Sequence, residues 1–421
     1  MSRDLFIRNA WFDGRGLIDI AIRDGRIQAM ASGLEPSPGV AILDAEGMAV
    51  SPGLVNGHTH AAMTLFRGYG DDMPLMEWLQ ERIWPAEARL SEEDVFWGTK
   101  LACLEMIRSG TTCFQDMYWH FHGMARAVEE MGLRVGVGAV MIDVAGAEQA
   151  EACKRDTERC FEESSRYSDR VRFTLTPHAI YTVSEESLRW TADFSQKHGV
   201  PVHIHLSETR FEVEECLRRH GIRPAFLLDR AGLLTPKVIL AHGVFLDEAE
   251  LDLIAERGAT LVTNPVSNMK LAVGGIFPYT LARSRGIPLG LGTDGAASNN
   301  SLDLLQDLKV LALVQKHRDA DPTTLPGGEA WSLVTGGMAP LLGGIGELEV
   351  GKAADLILLR QDAPECLPLH DFTSNLVYSA TGHLVDSVVV DGRLLMHHRR
   401  IPGEEEIVRE AVARAKAVCH G

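Results

Sequence analysis

A chain of 421 residues is long for one ordinary domain and short for three, so one large domain with a smaller companion is the simplest reading. Hydrophobic residues at 45% and charged residues at 24% give the balance of a globular protein with a sizeable core. A net charge of −17 with no basic patch argues against nucleic acid and anionic lipid as partners, and no run nears the roughly 18 apolar residues of a membrane span.

The first fifty residues read as short strands between turn signals. Met1-Ser2-Arg3-Asp4 leads straight into a strand-like run, with none of the apolar core of a signal peptide. Leu5–Phe12 and Ile18–Ile22 are strand-like, and Arg23-Asp24-Gly25 turns the chain into Arg26–Met30. Ala41–Val50 supplies another strand pair.

From about Pro52 to Gly344 the texture changes, and short apolar runs alternate with longer helical patterns. The runs are Gly53–His58, Thr111–Asp116, Val135–Ile142, Val171–Thr176, Val202–Leu206, Val238–Ala241, Thr260–Thr263 and Pro288–Gly292. Most are continuously apolar, as strands covered on both faces are. Glu92–Arg108, Met124–Met131, Glu185–His198, Glu212–Arg219 and Asp247–Arg257 have helical spacing. Eight such units predict a (β/α)8 TIM-type barrel in preference to a doubly wound open sheet.

The last eighty residues return to short strands: Asp355–Leu359, then Val385–Val390 leading through Asp391-Gly392 into Arg393–Met396, with a charged helix over Glu404–Val418. Neither terminal strand set builds a core alone. They are expected to meet in one small β-sandwich, a composite domain of residues 1–52 and 345–421 beside a barrel of residues 53–344. The seven cysteines are odd in number, scattered and free of C-x-x-C pairs, which points to a reducing, cytoplasmic setting.

In a barrel the chemistry gathers at the C-terminal ends of the strands. Reading those ends gives His58-Thr59-His60, Pro177-His178, His203-Ile204-His205-Leu206-Ser207-Glu208, Ala241-His242, Thr263-Asn264 and Thr293-Asp294. Residues two apart on a strand share a face, so His58 and His60 form a candidate metal pair rather than two satisfied core histidines. His203 lies one pleat deeper than His205, which makes His205 the candidate ligand and His203 a core or supporting residue. Glu208 follows where the chain leaves the strand; it reads either as a proton carrier or as a solvated loop residue.

Two phosphate-type motifs are rejected. Gly290–Gly295 spells G-x-G-x-x-G but closes the last β unit, and Gly346–Lys352 spells G-x-x-x-x-G-K but is followed by Ala353 and a strand. His220, His317, His370, His383, His397, His398 and His420 lack strand-end context. His120 and His122 are candidates for lining the mouth, and Met73–Trp84 for a substrate lid.

Pro52-Gly53-Leu54-Val55-Asn56-Gly57-His58-Thr59-His60, His205-Leu206-Ser207-Glu208, Ala241-His242 and Gly292–Asn300 together resemble the amidohydrolase superfamily. Within it the chain looks like the 5′-methylthioadenosine/S-adenosylhomocysteine deaminase family, over nearly its whole length. The resemblance implies one divalent metal held by His58, His60, His205 and Asp294, usually zinc, with iron or manganese as alternatives. It implies that Glu208 shuttles protons, that His242 orients the attacking oxygen, and that Asp294 relays a proton to departing ammonia. Trp78, Glu87, His178 and Ser298 fall with the substrate: Glu87 matches a residue that holds ribose hydroxyls, and His178 one that contacts the purine. A homo-oligomer is also implied. One departure stands out, since relatives carry arginine after strand three and Asp143–Lys154 has none.

The expected reaction is hydrolytic deamination of an adenosine-type nucleoside such as 5′-methylthioadenosine, 5′-deoxyadenosine, adenosine or S-adenosylhomocysteine. A guanine-type base or s-triazine is the alternative substrate, and a non-catalytic barrel the remote one. Cytidine-deaminase ligands (P-C-x-x-C) are missing, and the absence of lysine from Val171–His178 favours one metal over two.

Overall fold

The computed structural model describes residues 3–420; Met1, Ser2 and Gly421, and the side chains of Leu75 and Met76 within the lid candidate, lie outside the description. Five strands open the chain: β1 (Leu5–Phe12), β2 (Gly16–Arg23), β3 (Arg26–Ala31), β4 (Ala41–Asp44) and β5 (Met48–Pro52). Eight parallel units follow, as β6 (Leu54–Thr59), β7 (Thr111–Tyr118), β8 (Arg134–Met141), β9 (Val171–Phe173) with β10 (Thr176–Pro177), β11 (Val202–Leu206), β12 (Val238–His242), β13 (Thr260–Thr263) and β14 (Leu289–Leu291). The last three strands are β15 (Leu356–Arg360), β16 (Val385–Val390) and β17 (Arg393–Met396), before the helix Glu404–His420.

The terminal strands pair with one another. β5 runs antiparallel to β15, which joins β1–β5 and β15–β17 into one eight-stranded sheet. Alternation along β15 explains how one sheet serves two cores, because successive side chains face opposite sides. Leu356 and Leu358 pack with Leu5, Ile20 and Val50 in a small core, while Ile357 and Leu359 join the large core of the central region.

The central strands pair in sequence order, β6 through β8 with β9 and β10, and β11 through β14, all parallel. The fourth unit is broken where a single strand over Val171–Thr176 was expected. Thr174 N–H turns to Val137 O (3.0 Å), and Leu175 bridges Val202, which carries the pairing across to β11. At the other end Asp294 N–H donates to His58 O (3.0 Å), bringing the end of the last unit against the first. A third cluster, of Val55, Cys113, Ile239 and Val262, joins β6 and β7 to β12 and β13 and is closed by Met338 and Ile345. All seven cysteines are free, and no helix among the described residues is long and apolar enough to cross a membrane.

The rejected glycine motif acquires a packing role. A side chain at Gly292 would lie 2.7 Å from His58 N and O, so glycine lets the last strand end touch the first. At the opposite end Arg134 ties β8 to the terminal sheet: its Nε and Nη2 donate to Asp355 (2.5 and 3.1 Å), and Nη2 also reaches Asp391 in the β16–β17 turn at 3.3 Å. Both partners are nearly buried, so removing one strands the other charge. Arg134→Ala is expected to cost about 3–5 kcal/mol, read as a lower urea midpoint; an unchanged midpoint would refute the role of this pair.

Candidate active site

Imidazoles from three strand ends surround His58. Its ring centroid lies 4.8 Å from those of His60 and His203, 4.9 Å from that of His205 and 5.3 Å from that of His242. His60 Nε2 is 3.3 Å from His205 Nε2, and Asp294 Oδ1 is 3.3 Å from Nε2 of both His58 and His60. His58, His60, His205 and Asp294, drawn from three segments spread over more than half the chain, are thus brought together.

Their outer hydrogen bonds fix what they offer inward. His60 Nδ1–H donates to Met117 O (2.6 Å) and His205 Nδ1–H to His178 O (2.7 Å). A carbonyl only accepts, so both Nε2 atoms keep bare lone pairs. His58 Nδ1 sits 2.8 Å from His203 Nε2, and His58 Nε2 is buried with no hydrogen-bond partner. Burial pushes the pKa of His58 down to about 3 and that of His205 well below 6.5, so both rings are neutral at pH 7.

Asp294 is oriented as firmly. Ser267 and Ser298 hydroxyls donate to its Oδ2 (2.6 and 3.0 Å), which leaves Oδ1 facing the histidines. Burial would raise its pKa, but the adjacent His58 and the His60 and His242 rings hold the carboxyl well below the ordinary range. Two bare nitrogens, the buried and unpartnered Nε2 of His58 and one carboxylate oxygen fit a divalent cation.

His242 is distinguished from these ligands by Asn268, whose Nδ2 lies 2.9 Å from His242 Nδ1. With Nδ2 donating, the imidazole proton sits on Nε2 and the ring presents a donor. Glu208 approaches His242 Nδ1 at 3.9 Å, and burial, reinforced by the Asp294 charge, pushes its carboxyl up to about 8. A group poised this way can hold a proton and give it back near neutral pH. Strain marks the same places: Ser207 (φ +50°), His242 (+75°) and Asp294 (+62°) are non-glycine residues in left-handed backbone at three strand ends. Each costs about 1–3 kcal/mol and persists because neighbours over-determine it.

The other expected residues vary. Glu87 is half-buried, its desolvation raises its pKa, and it accepts from Tyr118 Oη (2.7 Å). His178 stands with its ring 4.7 Å from His205 and its Nδ1 on Thr182 Oγ1 (2.8 Å). Trp78 is buried beside Gly70, before a turn of π-helix at Leu79–Ile83, inside the lid candidate. Ser298 is engaged with Asp294. The two histidines offered for the mouth have local partners: His120 bonds Leu90 O (3.0 Å), and His122 pairs with Glu163 (2.7 Å) and Tyr167 (2.9 Å).

Sequence reasoning missed Ser267, Asn268, Asp116 and Glu212. Asp116 Oδ1 accepts from the amides of Ala61 (2.9 Å) and Met117 (3.0 Å) and so holds the turn after His60. Its place at the end of the second predicted strand was the available signal. Glu212 was signalled only by Thr209-x-x-Glu212, an ordinary helix-capping pattern. For Asn268 and Ser267 no signal existed.

Residues 49–395 match the amidohydrolase family. The chain belongs to that family. This amidohydrolase is 48% identical over 376 residues to a 5′-deoxyadenosine deaminase of Methanoregula boonei, covering 89% of this chain and 85% of the relative. It is 44% identical to a 5-methylthioadenosine/S-adenosylhomocysteine deaminase of Desulforudis audaxviator, over 98% of both chains. Among solved structures, an adenosine deaminase from Xanthomonas campestris with bound zinc superposes at a TM-score of 0.93 with 34% identity, over 99% of this chain and 98% of that one. An atrazine chlorohydrolase from Arthrobacter aurescens, at 23% identity and a TM-score of 0.89 over 98% of this chain and all of that one, shares the fold.

The His58–His203 contact yields a test in this amidohydrolase. His203→Phe keeps the ring volume and removes the acceptor behind His58. Metal affinity, measured by competition with a chromophoric chelator, is expected to fall roughly 10–100-fold; unchanged affinity would remove His203 from the site's support.

Proposed function

We propose that this amidohydrolase is a metal-dependent deaminase that converts adenosine-type nucleosides to their inosine analogues and ammonia. The observation that carries the reaction is the Glu208 carboxylate, 3.9 Å from His242 and beside a convergent His58/His60/His205/Asp294 donor set. The substrate class rests on relatives at 42–48% identity named for 5′-deoxyadenosine and for 5-methylthioadenosine/S-adenosylhomocysteine.

His58, His60, His205 and Asp294 would hold the ion, and zinc is the first choice because the adenosine deaminase neighbour binds it; iron and manganese remain alternatives. When bound, the ion supplies the Lewis acidity that makes water a usable nucleophile near neutral pH. The chain's own residues do the rest. Glu208 takes a proton from water and delivers it to N1 of the adenine ring, so that negative charge does not build up as oxygen bonds to C6. His242 donates to the attacking oxygen, an interaction held ready by Asn268. Asp294 takes the remaining proton from the added oxygen and passes it to the amino group, the C6–N bond breaks and ammonia departs. In this reading Glu87 takes the ribose hydroxyls, and His178, Trp78 and Ser298 complete the substrate's surroundings.

This reading includes a closed (β/α)8 barrel over residues 53–344, supported by the parallel strand order and the contact between His58 and Asp294, and a composite β-sandwich domain of residues 1–52 and 345–421. It also includes a cytoplasmic homo-oligomer.

Glu208→Gln is expected to retain its metal and lose roughly 10²–10⁴-fold in ammonia release; wild-type turnover would remove Glu208 from the mechanism. Chelator-stripped protein should be inactive and regain turnover with zinc. On the substrate side, Asp143–Lys154 holds no arginine, and the one buried acid there, Asp143, is committed to Ser184 N–H (2.7 Å) and Oγ (2.6 Å). S-Adenosylhomocysteine, with a carboxylate in its 5′ group, should therefore fall roughly 10–100-fold below 5′-methylthioadenosine in kcat/KM, the worth of one missing charged hydrogen bond. Activity on guanine or a triazine alone, with none on nucleosides, would overturn the substrate class.

A further inference from the structure

Glu212 sits at the third position of the helix Arg210–His220, behind the cap residue Thr209, whose Oγ1 accepts from Glu212 N–H at 3.2 Å. In two other helices a carboxylate at this position closes a box on its own cap residue: Asp94 accepts from Ser91 N–H (2.9 Å) and Glu250 from Asp247 N–H (3.2 Å). Glu212 does something else. Its carboxylate bypasses the Thr209 amide and reaches upstream, Oε1 accepting from Ser207 N–H (2.9 Å) and Oε2 from Glu208 N–H (3.0 Å).

Those two amides bracket the kink that delivers Glu208. Ser207 has φ +50°, a conformation uncommon for any residue but glycine. Its carbonyl is held by Phe245 N–H (2.9 Å), in the loop after β12, while its own hydroxyl is buried without a partner. The side chain of Ser207 therefore does nothing to stabilise the kink; the main-chain bonds hold it. Glu212 is 1% exposed. A carboxylate buried this fully is costly unless its bonds are needed. Glu250 is as buried and also takes the Ala225 amide (3.0 Å), but one of its oxygens closes its own cap, whereas both oxygens of Glu212 go to Ser207 and Glu208.

We propose that Glu212 is a positioning residue for deamination, its two oxygens gripping the Ser207 and Glu208 amides so that the Glu208 carboxylate is held beside His242. The proposal rests on the reading of Glu208 as proton carrier. Glu212 bonds none of the four candidate metal ligands and acts through the backbone of the residue that does the chemistry. It makes Thr209-x-x-Glu212 a catalytic support written in the form of a capping motif.

The test is steady-state kinetics of zinc-loaded E212Q, E212D, E208Q and E208Q/E212Q on 5′-deoxyadenosine, with bound metal measured in each. E212Q sets an NH2 group against one amide and should lose on the order of 100-fold in kcat, the effect of a small misplacement of a reacting group. KM and bound metal should stay within about twofold of wild type. E212D keeps the charge but is too short for both amides and should lie between. In the double variant the Glu212 change should add nothing to the loss from E208Q, because both act at one group. Wild-type kcat in E212Q, or in E212D should E212Q not fold, overturns the proposal, as does additivity in the double variant. E208Q inactive beside an unimpaired E212Q overturns the role of Glu212 alone, whereas wild-type turnover in E208Q overturns the reading of Glu208 and this proposal with it.

Discussion

Acceptors crowded into one buried space call for something positive to join them. His60 and His205 present bare nitrogens, His58 an unpartnered Nε2 and Asp294 an oxygen, within one small volume. Much of the surrounding structure serves this convergence. Backbone carbonyls of Met117 and His178 hold the imidazole protons outward. His203 stands behind His58, and two serines occupy the far oxygen of Asp294. Burial keeps the His58 and His205 rings neutral, as metal ligands must be.

The strand order determines how separate segments arrive at this place. Parallel strands deliver their C-terminal ends to one side, and the contact between Asp294 N–H and His58 O brings the first and last units together. Regular strands alone would carry their terminal side chains past the centre. Ser207, His242 and Asp294 each turn through left-handed backbone instead. The fold spends local stability at three points to aim three functional side chains, and neighbouring hydrogen bonds such as those from Phe245 and Asn268 keep the turns in place.

The residues that converge in the candidate site were legible in the sequence because strand geometry is periodic: His58 and His60 share a face, and ionisable residues recur at predicted strand ends. The pairing of the terminal strands was legible from two strand sets too small to stand alone. The split of the fourth unit at Thr174 was not, since Val171–Thr176 has the composition of one continuous strand and only the path of its amides breaks it. Glu212 was hidden for a different reason. Its spacing from Thr209 matches a common local motif, and the diversion of its carboxylate to two other amides depends on a backbone turn that no residue type announces.

The pairing of β5 with β15 also has a consequence during synthesis. The small core draws on Leu5 and Ile20 at one end of the chain and Leu356 and Val389 at the other. At translation rates of roughly 5–20 residues per second, the opening strands wait on the order of 15–60 s for their partners. Throughout that interval β5 presents an unpaired edge beside the still unfinished sheet, the kind of edge to which another nascent chain could add. The catalytic segments emerge from the ribosome before the sheet that joins the two ends of the molecule can be completed.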